Sequence, residues 1–119
     1  MMVLVVEDEV LLSMEISMKL KKKGHQVCPM ASSGKEALEI VSEYNPDVAI
    51  LDISISGEID GITLARRLHE EYGVNIIFMS GYAKSDMLKN IGDIPFVDYL
   101  NKPIRFEELS ESLQKVGEQ

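Results

Sequence analysis

The chain has 119 residues, 45% hydrophobic and 27% charged, a balance that predicts a single folded domain over residues 1–119. Its net charge of −8 disfavours direct contact with nucleic acid, because an acidic surface repels phosphate backbones. Without a long apolar stretch, a signal peptide or a second cysteine to pair with Cys28, the sequence predicts a cytoplasmic protein with no membrane partner.

Five nearly continuous apolar runs alternate with amphipathic stretches along the chain. Such runs are typical of parallel strands that are buried on both faces. The predicted strands are Met2–Val6, Val27–Ala31, Val48–Leu51, Val74–Met79 and Phe96–Leu100. Pro29 interrupts the second run, and since proline cannot donate a ladder hydrogen bond, we expect this strand at an edge of the sheet.

The stretches between the runs carry helical periodicity and helix-end signals. The predicted helices are Val10–Lys23, 33–44, Gly61–Tyr72, Ser85–Ile91 and Phe106–Val116, and the tail 117–119 is expected to fray. Ser33 and Glu36 form a capping box at the start of the second helix. The fourth is short and thinly apolar, so we expect it to be the most mobile. Strand and helix alternating five times predict a doubly wound α/β fold with a five-stranded parallel sheet.

Three expectations concern which side chains are buried. The first helix has two apolar stripes, which comprise Leu11, Met14 and Met18 and, on the other, Leu12, Ile16 and Leu20. We expect Met14, Met18, Met79 and Met87 to fill gaps in the core, and Ala65, Leu68 and Tyr72 to be buried. The basic run Lys19 and Lys21–Lys23 ends the first helix, where cations suit the helix dipole and face solvent.

Polar residues stand at the carboxyl ends of four predicted strands. Glu7 and Asp8 follow the first strand, Asp52 the third, Ser80 the fourth and Lys102 the fifth. The carboxyl ends of parallel strands meet at one edge of a sheet, so these side chains are expected to converge. Each alone has an ordinary role in a cap or turn, but three neighbouring carboxylates repel each other unless a cation joins them.

Mg²⁺ is the natural cation for this edge, because it binds one or two carboxylates together with a phosphate. A carboxylate beside Mg²⁺ can attack phosphorus and form an aspartyl phosphate. Lys102 would neutralise the phosphoryl oxygens and the Ser80 hydroxyl would donate to one of them. The sequence therefore predicts a magnesium-assisted phosphoryl-transfer site.

The sequence resembles the receiver domain of two-component response regulators over its whole length. The matching pieces are Val5–Asp8, Pro46–Asp52, Asp60-Gly61, Met79–Gly81 and Tyr99–Pro103. The resemblance implies a flavodoxin-like receiver fold with strand order 2-1-3-4-5 and five helices.

The resemblance also implies a role for each residue of the site. Asp52 would be the phosphoacceptor, Asp8 would contact Mg²⁺ directly, Glu7 would hold a metal-bound water, and the backbone carbonyl of Ser54 would complete the protein ligands.

On the same grounds, Ser80 and Lys102 would contact the phosphoryl group, and Tyr99 would report its presence to the surface. The Lys102-Pro103 peptide is expected to be cis.

Partners follow from the resemblance as well. The phosphoryl donor would be a sensor histidine kinase or a phosphotransfer protein. A downstream effector or output domain would dock on the face made by the fourth helix, fifth strand and fifth helix, and phosphorylation could bring two copies together as a homodimer. The chain would not be an enzyme acting on a separate substrate, but would catalyse its own phosphorylation and dephosphorylation.

Other interpretations remain beside this one. A degenerate receiver could act purely as an interaction module, although the acid pair, the acceptor and the lysine are all present. A phosphatase-type hydrolase usually has a second Asp two residues beyond its nucleophile, where this chain has Ser54.

His25 and His69 lie away from the predicted acidic edge, so no chemical role is expected of them. The loop Ile53–Asp60 is one residue longer than usual, so partner specificity does not carry over from better-known members.

Overall fold

The computed structural model describes residues 1–117 as five strands alternating with five helices. The strands are β1 (Met2–Val6), β2 (Gln26–Val27), β3 (Val48–Asp52), β4 (Asn75–Ser80) and β5 (Asp98–Asn101). The helices are α1 (Val10–Lys22), α2 (Gly34–Tyr44), α3 (Gly61–Tyr72), α4 (Lys84–Ile91) and α5 (Phe106–Gly117). All pairings are parallel and the sheet order is β2-β1-β3-β4-β5, which confirms the predicted fold. None of the helices in this range could cross a membrane.

The two faces of the sheet bury separate hydrophobic cores, because successive residues of a strand point to opposite faces. Leu51 and Phe78 face a core completed by α2, α3 and Ile91 of α4. Ile50 and Ile77 face the other core, which α1 and α5 cover. The central strands β3 and β4 are thereby buried on both sides, which explains their unbroken apolar sequence.

The second strand is shorter than its apolar run predicts. It comprises Gln26–Val27, and the chain then leaves the sheet and returns as a single bridge between Val6 and Ala31. The Cys28 N–H still donates to the Val3 carbonyl at 2.9 Å, but the next bond to β1 comes from the Ala31 N–H to the Val5 carbonyl at 3.1 Å, three residues on instead of two. This extra residue interrupts the regular ladder in the segment that contains Pro29. The predicted edge position of β2 is confirmed.

The ends of the other strands are set by hydrogen bonding across the ladder rather than by hydrophobicity. β5 begins at Asp98 instead of Phe96, which is partly buried and packs against the core with its ring 5.5 Å from that of Phe78. Asp52 and Ser80 are the last residues of β3 and β4 instead of the first residues beyond them.

Helix α1 buries one of its two apolar stripes and exposes the other. Ile16 and Leu20 are buried, whereas Leu11, Met14 and Met18 are exposed, so the prediction that Met14 and Met18 fill the core is wrong. Both stripes cannot face the sheet at once, and the stripe that faces it also carries buried serines. The prediction that Tyr72 is buried is also wrong, because its side chain is exposed at the end of α3. The predictions for Ala65, Leu68 and Met79, which are buried, and for Met87, which packs against the core, are confirmed.

The helix ends follow the predicted capping chemistry with one change of partner. The Ser33 hydroxyl accepts from the Glu36 N–H at 3.2 Å, but the Glu36 carboxylate accepts from the N–H and hydroxyl of Ser32 instead of the Ser33 N–H. Helix α5 includes Gly117, so the predicted frayed tail does not begin there, and residues 118–119 lie outside the described range.

Candidate functional site

Three carboxylates meet at the carboxyl edge of the sheet. Val6 is paired with Leu51 in the ladder, so the next residues of the two strands, Glu7 and Asp52, lie side by side. Carboxylate oxygens of Glu7, Asp8 and Asp52 all lie within 4.8 Å of one another. Glu7 and Asp52 are only 2% and 5% exposed, whereas Asp8 is exposed at the mouth of the site.

Lys102 brings a positive charge to this group from the end of β5. Its side-chain Nζ lies 2.8 Å from Asp52 Oδ2 and 2.6 Å from Glu7 Oε1. The backbone N–H of Lys102 donates to the Ser80 carbonyl at 2.8 Å, and the Lys102-Pro103 peptide is cis, as the resemblance implied.

Burial and ion pairing act in opposite directions on these groups. Burial raises the pKa of Glu7, and the hydrogen bond from Lys102 lowers it by less, so the net pKa is above its ordinary value. Burial lowers the pKa of Lys102, but the hydrogen bonds to Asp52 and Glu7 outweigh it and the net pKa is raised. Lys102 is therefore held as a cation.

The charge of the site suits a divalent cation. When all four groups are ionised, one ammonium against three carboxylates leaves two negative charges at this edge. The donors are all hard oxygens, which is the ligand type that Mg²⁺ prefers. The predicted ligands Glu7, Asp8 and Asp52 are thus brought together in a form that fits the ion.

The loop after Asp52 holds the other oxygen of its carboxylate. The Ser54 N–H donates to Asp52 Oδ1 at 2.8 Å, so both oxygens of Asp52 have partners. The role of the Ser54 carbonyl as a metal ligand stays a prediction. Gly61, the first residue of α3, packs directly behind this loop, where an added Cβ would lie 2.4 Å from the Ile53 carbonyl oxygen.

A hydrogen-bonded network links Ser80 to Tyr99 through the backbone of Tyr82. The fully buried Ser80 hydroxyl accepts from the Tyr82 N–H at 2.9 Å. The Tyr82 carbonyl accepts from the Tyr99 hydroxyl and from the Asn101 side-chain amide, both at 2.8 Å. Tyr99 is 8% exposed, so its ring lies inside the molecule, 6.4 Å from the ring of Phe78.

Sequence reasoning missed the parts that Tyr82 and Asn101 play in this network. Tyr82 contributes its backbone alone, which no side-chain pattern reveals, and its side chain is exposed. Asn101 could have been found as one more polar residue at the end of a strand. Neither histidine belongs to the acidic cluster. His69 is half-buried, with its Nδ1 3.2 Å from the Val74 carbonyl oxygen.

Comparison with known proteins identifies the family. Residues 3–114 match the model of the response regulator receiver domain, so the chain belongs to this family. It is 27% identical to the transcriptional regulatory protein PdtaR of Mycobacterium tuberculosis over 94% of this chain and 54% of that protein. It is 36% identical to the positive alginate biosynthesis regulatory protein of Pseudomonas aeruginosa over 98% of this chain and 47% of that protein.

Other relatives are nearer to this chain in length. The sporulation initiation phosphotransferase F of Bacillus subtilis is 27% identical over 95% of this chain and 90% of that protein. A solved receiver domain of a modulated diguanylate cyclase from Desulfovibrio desulfuricans is 28% identical with a TM-score of 0.89, covering 97% of this chain and 91% of that one. A response regulator from Thermotoga maritima is 26% identical with a TM-score of 0.85, covering 99% and 98%. The chain thus spans about half of the first two curated relatives and most of these three.

Proposed function

We propose that this chain is a single cytoplasmic receiver domain that takes a phosphoryl group onto Asp52 with the help of Mg²⁺. The donor is a sensor histidine kinase or a phosphotransfer protein, and the phosphorylated form presents a changed surface to a downstream partner. The observation that carries the proposal is the Asp52 carboxylate, which lies at the sheet edge among Glu7, Asp8 and the Lys102 ammonium.

Asp52 is oriented for attack on phosphorus. Its two oxygens are held by Lys102 and by the Ser54 N–H, so the side chain has little rotational freedom to lose in the reaction. One oxygen attacks the phosphorus of the donor's phosphohistidine, and the bond from phosphorus to the histidine nitrogen breaks. Asp8, Asp52 and the Ser54 carbonyl would hold Mg²⁺ directly, with Glu7 on a bound water, and the ion supplies neutralisation of the phosphoryl oxygens. The same residues would promote dephosphorylation, in which water attacks the phosphorus and the bond from phosphorus to the Asp52 oxygen breaks, so the chain acts on itself and not on a separate substrate.

Ser80 couples the phosphoryl group to the network around Tyr82. Its hydroxyl accepts a hydrogen bond from Tyr82 and still has its own proton to donate to a phosphoryl oxygen. Movement of Ser80 toward Asp52 therefore pulls on the Tyr82 backbone, and through it on Tyr99. The face formed by α4, β5 and α5 changes as a result.

The proposal is tested by labelling with acetyl phosphate, with and without Mg²⁺. We expect a label that requires Mg²⁺, is released by hydroxylamine and is absent from Asp52→Asn. Asp93→Asn is the matched control, because Asp93 is an exposed aspartate paired with Arg66 and should label normally. A hydroxylamine-resistant label, or equal labelling of Asp52→Asn, contradicts the proposal. The absence of any label, from acetyl phosphate or from phosphorylated kinases, favours the degenerate interaction module instead.

A further inference from the structure

A groove of about 520 Å³ lies between α1, the segment that follows β2, and the end of α2. Met14 and Met18 line it from α1, Met30 from the segment after β2, and Tyr44 from α2. It lies at the β2 edge of the sheet, opposite the β5 edge and the face assigned to signalling.

The groove gathers a large share of the exposed apolar surface. Ten large hydrophobic side chains are exposed in residues 1–117, and four of them line this groove. These four are Met14, Met18, Met30 and Tyr44, at 45%, 57%, 43% and 41% exposure. Scattered apolar residues are normal on a surface, but a contiguous group in a concave site marks a binding surface. Methionine is flexible and polarisable, which suits it to such surfaces.

The charge of the groove is opposite to that of the protein. The chain carries a net charge of −8, yet the one charged side chain that lines the groove is Lys21. Lys22 and Lys23 continue this positive end of α1, and no carboxylate in residues 1–117 forms an ion pair with the three lysines. An acidic partner would therefore meet unpaired positive charge at this end of α1.

Ser17 adds an unsatisfied polar group to the same groove. It lines the groove from α1, is 6% exposed, and its hydroxyl has no hydrogen-bond partner among residues 1–117. Because the hydroxyl oxygen itself is buried, Ser17 contributes to the lining of the groove and does not by itself indicate a ligand.

We propose that this groove binds an amphipathic helix of a partner protein, one with an apolar stripe and acidic flanks. Apolar side chains of that helix pack between Met14, Met18, Met30 and Tyr44, and its carboxylates pair with Lys21 and its neighbours. The site is independent of phosphorylation of Asp52, so the chain has a second docking surface beside its signalling face.

The test uses the methionines as probes. Labelling their ε-methyl groups with ¹³C gives signals from three groove residues, Met14, Met18 and Met30, and from Met79 and Met87 in or against the core. The ligand is a synthetic amphipathic helix with leucines on one face and glutamates on the other. A control peptide has lysines in place of the glutamates. We expect the acidic peptide to shift the three groove signals and spare Met79 and Met87, and the basic peptide to bind at least about tenfold more weakly.

Variants locate the contact. Met14→Gln and Lys21→Gln should each weaken binding of the acidic peptide several-fold, while Leu88→Gln should not, although Leu88 is as exposed as Met14. The proposal is overturned if the acidic peptide leaves the groove signals unchanged or if the basic peptide binds equally well. It is also overturned if concentrating the protein alone, or adding anionic phospholipid vesicles, shifts these signals when the peptide does not, because a second copy or a lipid surface is then the occupant.

Discussion

Lys102 decides the charge balance of the site before any phosphoryl group arrives. Its ammonium contacts the buried carboxylates of Glu7 and Asp52 and offsets the repulsion between their negative charges. Removal of the lysine would leave Glu7 buried without a compensating charge, which is costly. In the proposed phosphorylated form, the same ammonium would contact the phosphoryl group on Asp52.

The two acids at the end of β1 should differ in their effect on metal binding. Loss of a group that supports a ligand usually lowers metal affinity about 10–100-fold. The Glu7 carboxylate already contacts Lys102 and the Glu9 N–H, so we expect Glu7→Ala to lower Mg²⁺ affinity within that range. Asp8 is exposed and is the expected direct ligand, so Asp8→Ala should lower the affinity further. Calorimetric titration of both variants with Mg²⁺ measures the difference, and Glu7→Gln and Asp8→Asn serve as controls of similar size. Equal losses contradict the assignment.

Asn101 should restrain the switch. In Asn101→Ala the Tyr82 carbonyl loses one of its two donors, and a hydrogen bond of this kind is worth about 0.5–1.5 kcal/mol. We expect faster amide exchange at Tyr82 and a more mobile Tyr99 ring, measured by NMR. Asn75→Ala is the matched control, because Asn75 also donates from its side chain to a backbone carbonyl, that of Asp47, at the other end of β4. Identical behaviour of the two variants at Tyr99 would refute this role.

Among the elements, α3 approaches the loop after Asp52 very closely through Gly61. Gly61→Ala places a methyl group 2.4 Å from the Ile53 carbonyl oxygen, so the helix or the loop must shift, at a cost of about 1–3 kcal/mol. Denaturant unfolding measures this cost. Gly81→Ala is the control, because an added Cβ there meets nothing within 4 Å. If both variants are equally stable, the close approach at Gly61 is not a constraint on the fold.

The elements also show where sequence reasoning reaches its limit. Strands β1, β3, β4 and β5 were predictable because buried parallel strands leave unbroken apolar runs, whereas the prediction for β2 overlaps the observed strand at Val27 alone. The face that α1 buries was not predictable, since Leu11, Met14 and Met18 and also Leu12, Ile16 and Leu20 are spaced three or four residues apart, as helical stripes are. Periodicity identifies an amphipathic helix but does not tell which of two stripes packs against the sheet. The exposed stripe places Met14 and Met18 in the lining of the groove, and the sequence did not predict this surface.

At the scale of the whole molecule, the proposed signalling face and the groove lie at opposite edges of the sheet. Beryllofluoride, a phosphoryl mimic, should therefore change the NMR signals of Tyr99 and residues 84–101 while leaving those of Met14, Met18 and Met30 unchanged. Spectra recorded with Mg²⁺ alone separate the effect of the metal from that of the mimic. Changes confined to the loops around Asp52 would show that the switch does not run through α4 and β5.

The convergence of the site was predictable from topology, whereas its contacts were not. Parallel strands place their carboxyl ends together, so Glu7, Asp8, Asp52 and Lys102 had to meet. The pairing of Lys102 with Glu7 as well as Asp52 depends on distances of a few ångströms that no spacing in the sequence encodes. The same holds for Tyr82, whose contribution is a backbone N–H and carbonyl.

The brevity of β2 has a consequence for the behaviour of the protein at high concentration. An exposed sheet edge is a template on which strands of other molecules can add and aggregate. Here that edge is two residues long, and Pro29, just beyond it, offers no N–H to an incoming strand. The fold therefore resists edge-to-edge polymerisation on this side of the sheet, and replacement of Pro29 would restore an N–H at this edge and weaken that protection.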